Sequence, residues 1–526
     1  MDAQITHTDI RTVKTPTEEL ALFFSDAQEL IRQCEQQLRH SPSNFRRVER
    51  TLCRAFRKGS GHIAAALLVA SSKEPDTIAQ VENIQQSSAQ PLRKPIVQTL
   101  VIRLFCGLLL QVSTLYCAPK GKRSDETEVR TGLYPELAAY GFAKKSSAAF
   151  EEEVTRKAAL CPSFELATQE LEREGVDINV KEVRRVATQC GVSLLTLRRV
   201  MVQSFLSGTL QSGNELAGEH VVVSTDGGRM KHRKNKAQNR SGKHPKYHTE
   251  WREPKLIIIY IVDENGKKKK KSRFWLDGTF LGPDNLAEML AAWLFRLGIA
   301  QAASVTFIAD GAPWIWDRFD WVVEQLKLPK AKVEYVLDFY HAAHHIGLAL
   351  AEIELTDDER RSLYKELRSE LRQSRWQSVV GRLEELGGTL LSEKDSIFCR
   401  ELRFLRKHGE SGHLNYVKYT RRGLPRGSGA MESAVRRVIN LRLKGNGMFW
   451  TAENAESMLQ VRCQLLSSEW DVRMEELYGH RLRTRRSDWQ WQASDRSRKT
   501  RNDRKTEENV YRNSEKQGKT QLKSRE

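Results

Sequence analysis

Two short apolar runs, each ending in an aspartate followed by glycine, constrain the fold more than any other feature of the sequence. Residues 221–223 lead to Asp226, and residues 305–309 lead to Asp310. Short β-branched runs bounded by glycine are typical of buried strands, and a glycine after the acid lets a ligand approach the backbone closely. Two such strands lying side by side would present both carboxylates at one end of a sheet.

The segments around these two runs predict a mixed sheet. The predicted elements are strands at 221–226, 255–262 and 273–276, a helix at 285–297, a strand at 305–309, a helix at 314–325 and a strand at 333–338. A three-strand meander followed by alternating helix and strand gives a five-stranded sheet covered on both faces, in the order of an RNase H-like α/β core. In that order the first and fourth strands are neighbours at the centre, and the third is an edge.

The remainder of the chain is predicted to be mainly helical, and we divide it by composition and by the spacing of its apolar residues. The predicted regions are 1–95 helical, 96–130 a β-hairpin and linker, 131–215 helical, 216–340 the core strands, 341–425 a helical insertion, 426–470 a core helix, and 471–526 a basic tail. The tail is charged and poor in aliphatic residues, which predicts disorder.

Charge points to a polyanionic partner. The formal net charge is +19, and residues 229–252 carry nine Lys/Arg against one acid, while residues 480–526 carry fifteen against seven. Positive charge concentrated in a loop and a tail is typical of nucleic-acid binding, with solubility alone as the alternative. From the loop, Arg229, Lys231, Arg233 and Lys234 are the candidate DNA-binding residues.

The N-terminus has no apolar signal segment, and the most apolar stretch, residues 96–116, is interrupted by Gln98, Arg103 and Gln111. A spanning helix needs about 20 apolar residues. We therefore expect a cytoplasmic protein with no membrane partner, nucleoid-associated when bound. The eight cysteines contain no C-x-x-C pair and are read as reduced thiols.

A third acid, Glu432, lies in RGSGAMESAVRRV, near the start of a helix that we expect Ser428 to cap. Arg436 and Arg437 follow on the same helix and could neutralise a phosphate. The competing interpretation is a surface helix with an i, i+4 pair between Glu432 and Arg436.

Asp338 and His341 follow the last predicted strand, where the histidine could bind a phosphate or move a proton. Asp277, in FWLDGTF, competes with Asp226 and Asp310 for a catalytic role. Because the third strand is an edge, we keep Asp277 as the fallback.

If Asp226, Asp310 and Glu432 converge, their carboxylates could hold two Mg²⁺ or Mn²⁺ ions about 3.5–4 Å apart for phosphodiester cleavage. Magnesium prefers oxygen ligands and needs only a few carboxylates beside water and substrate phosphate. We expect no zinc site, since His341, His344 and His345 have no second cluster of ligands.

Residues 181–203 predict a helix-turn-helix with its turn at Gly191 and Ser193 as the second N-cap. Thr196, Arg198 and Arg199 would then face DNA. An ordinary helical hairpin is the alternative.

Five motifs in this order, STDGGRM, FIADGAPWIW, VLDFYHAAHH, GSGAMESAVRR and LRLKGNGMFW, resemble the DDE transposases of bacterial insertion sequences, nearest the Kra-type group and its Mutator-like relatives. The resemblance covers about residues 130–470. It implies an RNase H-like core with Asp226 and Asp310 as catalytic aspartates, Glu432 as the glutamate, and Asp338 with His341 as the family's C/D-x-x-H element.

The resemblance further implies Mg²⁺- or Mn²⁺-dependent cleavage at terminal inverted repeats, joining of the 3′ hydroxyl to target DNA, and homo-oligomers on double-stranded DNA. Relatives often carry a cysteine-rich, zinc-ribbon-like segment, of which only Cys106 and Cys117 are present here. Two alternatives remain open: a nuclease of the same fold without strand transfer, and an inactive, element-derived DNA-binding protein.

Overall fold

A computed structural model describes residues 2–5, 11–87, 92–120, 132–142, 145–235, 247–445 and 447–483. The described residues form two compact units, one within residues 1–193 and 471–526 and the other spanning Leu194–Trp470. None of the helices in the described ranges is long and apolar enough to cross a bilayer.

Helices and a small sheet build the first unit. Its helices before the second unit are α1 Pro16–His40, α2 Phe45–Ser71, α3 Pro75–Gln86, α4 Pro135–Ala139, α5 Ala148–Leu160 and α6 Phe164–Arg173. Helix α1 starts where the Thr15 side chain accepts from Glu18 N–H, the Glu18 side chain bonds back to Thr15 N–H, and Pro16 occupies the first turn.

The sheet of the first unit contains the hairpin that residues 96–117 predict. Its strands are β1 Asp2–Ile5, β2 Arg11–Thr12, β3 Ile96–Arg103 and β4 Leu109–Tyr116, in the order β2-β1-β4-β3. Strands β3 and β4 pair antiparallel, and Gly107, at φ 82°, provides the left-handed turn between them. Ile102, Leu110 and Val112 are buried in the core beneath this hairpin.

The predicted helix-turn-helix at residues 181–203 is wrong, because helix α7, Val180–Leu206, runs through Gly191 without a turn. Buried Val183, Val186, Cys190 and Leu194 recur along it at helical spacing. One interior glycine costs about 1 kcal/mol, less than burying that stripe gains. The expected N-cap, Ser193, instead donates its hydroxyl to the Gln189 carbonyl one turn earlier.

A mixed five-stranded sheet forms the centre of the second unit. Its strands are β5 His220–Gly227, β8 Lys255–Val262, β9 Phe274–Thr279, β10 Ser304–Ala309 and β11 Val333–Leu337, in the order β11-β10-β5-β8-β9. Strands β5, β8 and β9 pair antiparallel, whereas β10 pairs parallel with both β5 and β11. The first and fourth strands are thus neighbours and the third is an edge, as the sequence predicted.

Helices connect the parallel strands of this sheet. Helix α8, Pro283–Arg296, lies between β9 and β10, and helix α9, Pro313–Gln325, lies between β10 and β11. All six residues of β10 are buried, so both faces of this central strand are covered.

Between β5 and β8 the chain forms a two-stranded antiparallel ribbon, β6 Met230–Asn235 and β7 Tyr247–Arg252. Residues 236–246, which the sequence places in the basic loop, lie outside the described residues.

After β11 the chain is helical. The helices are α10 Phe339–Ala351, α11 Asp357–Arg372, α12 Trp376–Gly387, α13 Ile397–Glu410, α14 Tyr416–Arg421, α15 Gly429–Val435, α16 Ala452–Leu466 and α17 Trp470–Arg483. The helix that carries Glu432 begins after Ser428 as predicted, but it is short and passes into a π-helical turn at Arg436–Asn440. Helix α15 packs against β5 and β8.

The prediction of disorder from residue 471 is wrong for its first part. Helix α17 continues to Arg483, and Met474 and Leu477, three residues apart, are both buried. Apolar residues at this spacing stabilise a helix by burial despite the surrounding charge. Residues 484–526 lie outside the described residues.

Candidate active site

Asp226 and Asp310 come together at one end of the central sheet. Strands β5 and β10 run parallel with Ser224 opposite Ile308, so the same register places Asp226 opposite Asp310 two residues later. Asp226 is the penultimate residue of its strand, and Asp310 directly follows β10. Both side chains are partly buried.

Burial and the charge of Asp310 together raise the pKa of Asp226 to about 6, against an ordinary value of 3.8. The Gly227 N–H, which donates to Asp226 Oδ1 at 2.6 Å, and the nearby His341 only partly offset this effect. Asp310 Oδ1 accepts from Ala312 N–H at 3.0 Å, in a turn that Gly311 permits at φ 95°. The folded chain therefore holds two neighbouring carboxylates whose charges repel.

Asp338 joins this end of the sheet to two helices. Its N–H donates to the Ala309 carbonyl at 2.8 Å, which ties it to the strand that precedes Asp310. Its Oδ1 accepts from Tyr340 and His341 N–H and caps α10, while its Oδ2 accepts from Ser428 N–H at the start of α15.

His341 contacts Asp338 through its ring, with Nδ1 at 3.3 Å from Oδ1. Burial alone would raise the pKa of Asp338, but the contact with the His341 ring and the hydrogen bonds from Ser428 and His341 N–H lower it to about 2. The contact with Asp338 raises the pKa of His341 against the effect of burial, and the charges of Asp310 and Asp226 add to this rise. The site thus contains three aspartates and a histidine whose pKa is raised.

Glu432 lies on a helix at the border of this site, and its side chain is exposed. The π-helical turn after α15 packs closely against Gly228, the residue that follows β5. A Cβ added at Gly228 would lie only 2.5 Å from Ile439 Cδ1. Within the described ranges, no three Asp, Glu, His or Cys side chains lie close enough to hold one metal ion. The structure places Asp226, Asp310, Asp338 and His341 at the same end of the sheet, and a ligand set that the two aspartates share with Glu432 stays a prediction.

Arg198 does not face DNA as predicted, because its side chain, only 12% exposed, is held in an ionic network. It donates to Asp277 Oδ1 at 3.1 Å, to Glu456 Oε1 at 2.8 Å and to Gln460 Oε1 at 2.8 Å. Asp277, the fallback acid, is only 1% exposed, and its other oxygen accepts from the Trp293 indole at 2.8 Å. Both carboxylate oxygens of Asp277 thus accept hydrogen bonds within the core, and neither is available for catalysis.

The other predicted DNA-binding residues occupy varied positions. Thr196 and Arg199 lie on the continuous helix α7, so the recognition-helix argument for them fails. Arg436 is exposed on the π-helical turn, whereas Arg437 is half-buried with its guanidinium 5.9 Å from the Phe274 ring. The basic residues 229, 231, 233 and 234 are all exposed on or beside β6.

Sequence reasoning missed the aromatic residues of the ribbon. Tyr247 and Trp251 on β7, with Phe449 beside them, are exposed next to the basic residues of β6. The alternation of Tyr247, Thr249 and Trp251 was a readable signal for one face of a strand.

Comparisons with known proteins add little to this description. No protein-family model matches the chain, and no curated protein matches it. Among solved structures, it is similar to the Drosophila P element transposase strand transfer complex at 11% identity with a TM-score of 0.23, covering 65% of this chain and 81% of that chain. A TM-score this low supports no argument about fold or activity, so the site rests on its own geometry.

Proposed function

We propose that this protein is a DNA transposase with an RNase H-like core, which cleaves phosphodiesters at element ends and joins the freed 3′ hydroxyl to target DNA. The observation that carries the proposal is the pairing of Asp226 and Asp310 at adjacent parallel strand ends, with the pKa of Asp226 raised to about 6. Perturbed carboxylates at strand ends are typical of catalytic sites in such sheets.

The donor set fits Mg²⁺ or Mn²⁺. Two carboxylates that repel each other are stabilised by a divalent cation, and their oxygens are hard ligands of the kind Mg²⁺ prefers. One oxygen of each accepts a backbone N–H, and the described residues offer no hydrogen bond to Asp226 Oδ2 or Asp310 Oδ2. When bound, two such ions activate the attacking oxygen and stabilise the leaving one.

The chain's own residues supply position and charge. Asp338 contacts the His341 ring and raises its pKa, so that the protonated ring can donate its other N–H to a phosphate oxygen. Asp338 also anchors the start of α15, which carries Glu432. We assign Glu432 as the third acid because its exposed side chain extends from a helix held beside Asp338.

The test is cleavage of DNA that carries the sequences flanking the coding region. Wild-type protein with Mg²⁺ should nick this DNA and give strand-transfer products. Asp226→Asn and Asp310→Asn should lower the nicking rate by roughly 100-fold or more, since each removes one electrostatic group of the site. Glu432→Gln should have the same effect if the third acid is correctly assigned.

Asp284→Asn serves as the matched control, because Asp284 is 81% exposed and pairs with Arg318 on the surface. Full activity in Asp226→Asn would exclude the proposed site. Nicking without joined products would favour the nuclease, and binding to end DNA without cleavage under Mg²⁺ or Mn²⁺ would favour the inactive DNA-binding protein.

A further inference from the structure

The ribbon β6–β7 exposes one face that alternates cations and aromatic rings. Lys231 lies directly opposite Trp251, and Arg233 lies opposite Thr249, so these four share a face. Lys231 Nζ lies 5.1 Å from the Trp251 ring centroid, and the Arg229 guanidinium lies 5.4 Å from the same centroid. One exposed indole therefore has two cations beside it.

The same pattern continues along the ribbon. The Arg233 guanidinium is 5.8 Å from the Tyr247 ring, whose other neighbour is Phe449 at 5.8 Å between centroids. We call the face made by Arg229, Lys231, Arg233, Tyr247, Trp251 and Phe449 the aromatic–basic face. All six side chains are exposed.

The opposite face of the ribbon is anchored, and its two cations pair with a carboxylate. Met230 and His232 are buried, and the His232 ring lies 4.6 Å from the Phe280 ring. Arg233 N–H donates to the Trp450 carbonyl at 2.8 Å. On this side Glu250 pairs with Arg252 at 2.6 Å and Lys234 at 3.5 Å.

The aromatic–basic face, by contrast, keeps its positive charge. Within the described residues, Arg229, Lys231 and Arg233 form no ion pair with a carboxylate. Trp251 remains 51% exposed although it is the largest apolar side chain on the ribbon. Exposed aromatic rings beside unpaired cations suit a ligand that is both flat and anionic.

Its position links this face to the acids. The ribbon begins at Met230, four residues after Asp226, and Arg229 precedes it, so no more than about 10 Å of extended chain separates the Cα atoms of Asp226 and Arg229. A strand whose phosphate reaches Asp226 would therefore place its neighbouring nucleotides on the ribbon.

We propose that the aromatic–basic face binds unpaired nucleotides of the DNA strand next to the cleavage site, with bases stacked on Trp251 and Tyr247 and phosphates held by Arg229, Lys231 and Arg233. This inference rests on the proposed function and extends it, because it names the form of DNA that the site takes. Stacking platforms interleaved with cations are how proteins bind single strands, whereas the bases of an intact duplex offer no free face to a ring.

The experiment measures the affinity of the full-length protein, without Mg²⁺, for a labelled single strand and for the duplex of the same sequence by fluorescence anisotropy. Trp251→Ala should weaken single-strand binding about tenfold or more, and Trp251→Phe should restore most of it. Duplex affinity should change less than about twofold. An abasic strand of equal length and charge should bind the wild type and Trp251→Ala equally.

Phe105→Ala is the matched control, since Phe105 is also exposed, at 46%, with the Arg57 guanidinium 5.4 Å from its ring. It should leave single-strand affinity unchanged. Equal losses for single strand and duplex, or a lowered melting temperature of Trp251→Ala with unchanged affinities, would overturn the inference and leave Trp251 a structural residue.

Asp226→Asn separates this inference from the proposed function. That variant should lose cleavage and keep its preference for the single strand. If cleavage depends on Asp226 but single-strand binding is independent of Trp251, the inference fails and the proposed function stands. If Trp251 governs single-strand binding but Asp226→Asn still cleaves, the proposed function fails.

Discussion

At the scale of the residue, the folded protein holds Asp226 where its charged form is disfavoured. Its carboxylate is partly buried beside Asp310, and both effects disfavour its charge. Asp338 is the opposite case, because it is fully buried and yet its pKa falls to about 2 through the bonds it accepts. Asp226 thus has too few donors and positive charges near it to stabilise its own charge. Asp338 accepts hydrogen bonds from several backbone N–H groups, and these bonds fix the start of helix α10.

The raised pKa of Asp226 predicts a pH-dependent gain in stability for Asp226→Asn. The folded carboxyl, with a pKa of about 6, binds its proton more tightly than the unfolded one at 3.8. The wild type therefore loses stability as pH rises from 3.8 to 6 and carries the full penalty above 6. In urea unfolding without divalent ions, Asp226→Asn should be more stable at pH 8 by on the order of 2 kcal/mol, after allowance for partial exposure.

The difference should shrink as pH falls through 6 and vanish below about 3.8. Asp284→Asn, at an exposed acid, should show no comparable gain at pH 8. Equal stability of wild type and Asp226→Asn at every pH would mean that the two carboxylates do not repel in the folded protein.

At the scale of the element, the network of Arg198, Asp277 and Glu456 joins helix α7, strand β9 and helix α16. Glu456 also accepts from Thr279 Oγ1 and Phe280 N–H at 2.7 Å each, so the edge strand is tied to α16 by ionic and backbone bonds. Removing Arg198 would leave Asp277, which is 1% exposed, buried without a cation.

We therefore expect Arg198→Leu to lower the free energy of unfolding by about 3–5 kcal/mol. The double variant Arg198→Leu, Asp277→Leu should lose less than the sum of its single variants, because the buried charge of Asp277 is then removed together with its partner. Arg361→Ala, which breaks a surface pair with Asp358 at 3.8 Å, should cost less than about 1 kcal/mol. Additive losses in the double variant would show that Arg198 and Asp277 are not coupled.

These elements also show what the sequence could reveal. The Val and Ile runs bounded by glycine predicted β5 and β10, and chain-crossing rules predicted that they would be neighbours. The predicted turn at Gly191 is absent because the preference of one glycine for a turn is weaker than the stabilisation from the apolar residues buried along α7. The partners of Arg198 lie 79 and 258 residues away, so no local pattern could identify them. The sequence predicted Asp338 as part of the C/D-x-x-H element, but its role in holding the start of α15 depends on its bond with Ser428 across 90 residues.

At the scale of the whole molecule, positive charge is concentrated in two segments of the sequence, and one of them, the ribbon, follows Asp226 directly along the chain. The described part of the ribbon contributes the aromatic–basic face, whereas residues 484–526 carry thirteen Lys/Arg against seven Asp/Glu. The logarithm of DNA affinity falls linearly with the logarithm of the salt concentration, and the slope is proportional to the number of phosphates that the protein neutralises. The contributions of the two segments to DNA binding can therefore be distinguished by their effects on DNA affinity and on its salt dependence.

Truncation after Arg483 should weaken duplex binding at low salt and make the slope of log affinity against log salt shallower by about 0.9 for each phosphate that the protein no longer neutralises. Replacing residues 484–526 with a neutral Gly/Ser segment of equal length should have the same effect, which would assign it to charge rather than to chain length. Trp251→Ala should instead leave the duplex slope unchanged, since stacking releases no counterions. Anisotropy titrations of one duplex between about 50 and 200 mM salt measure all three, and an unaltered slope after truncation would exclude a role for the terminal charges in holding DNA.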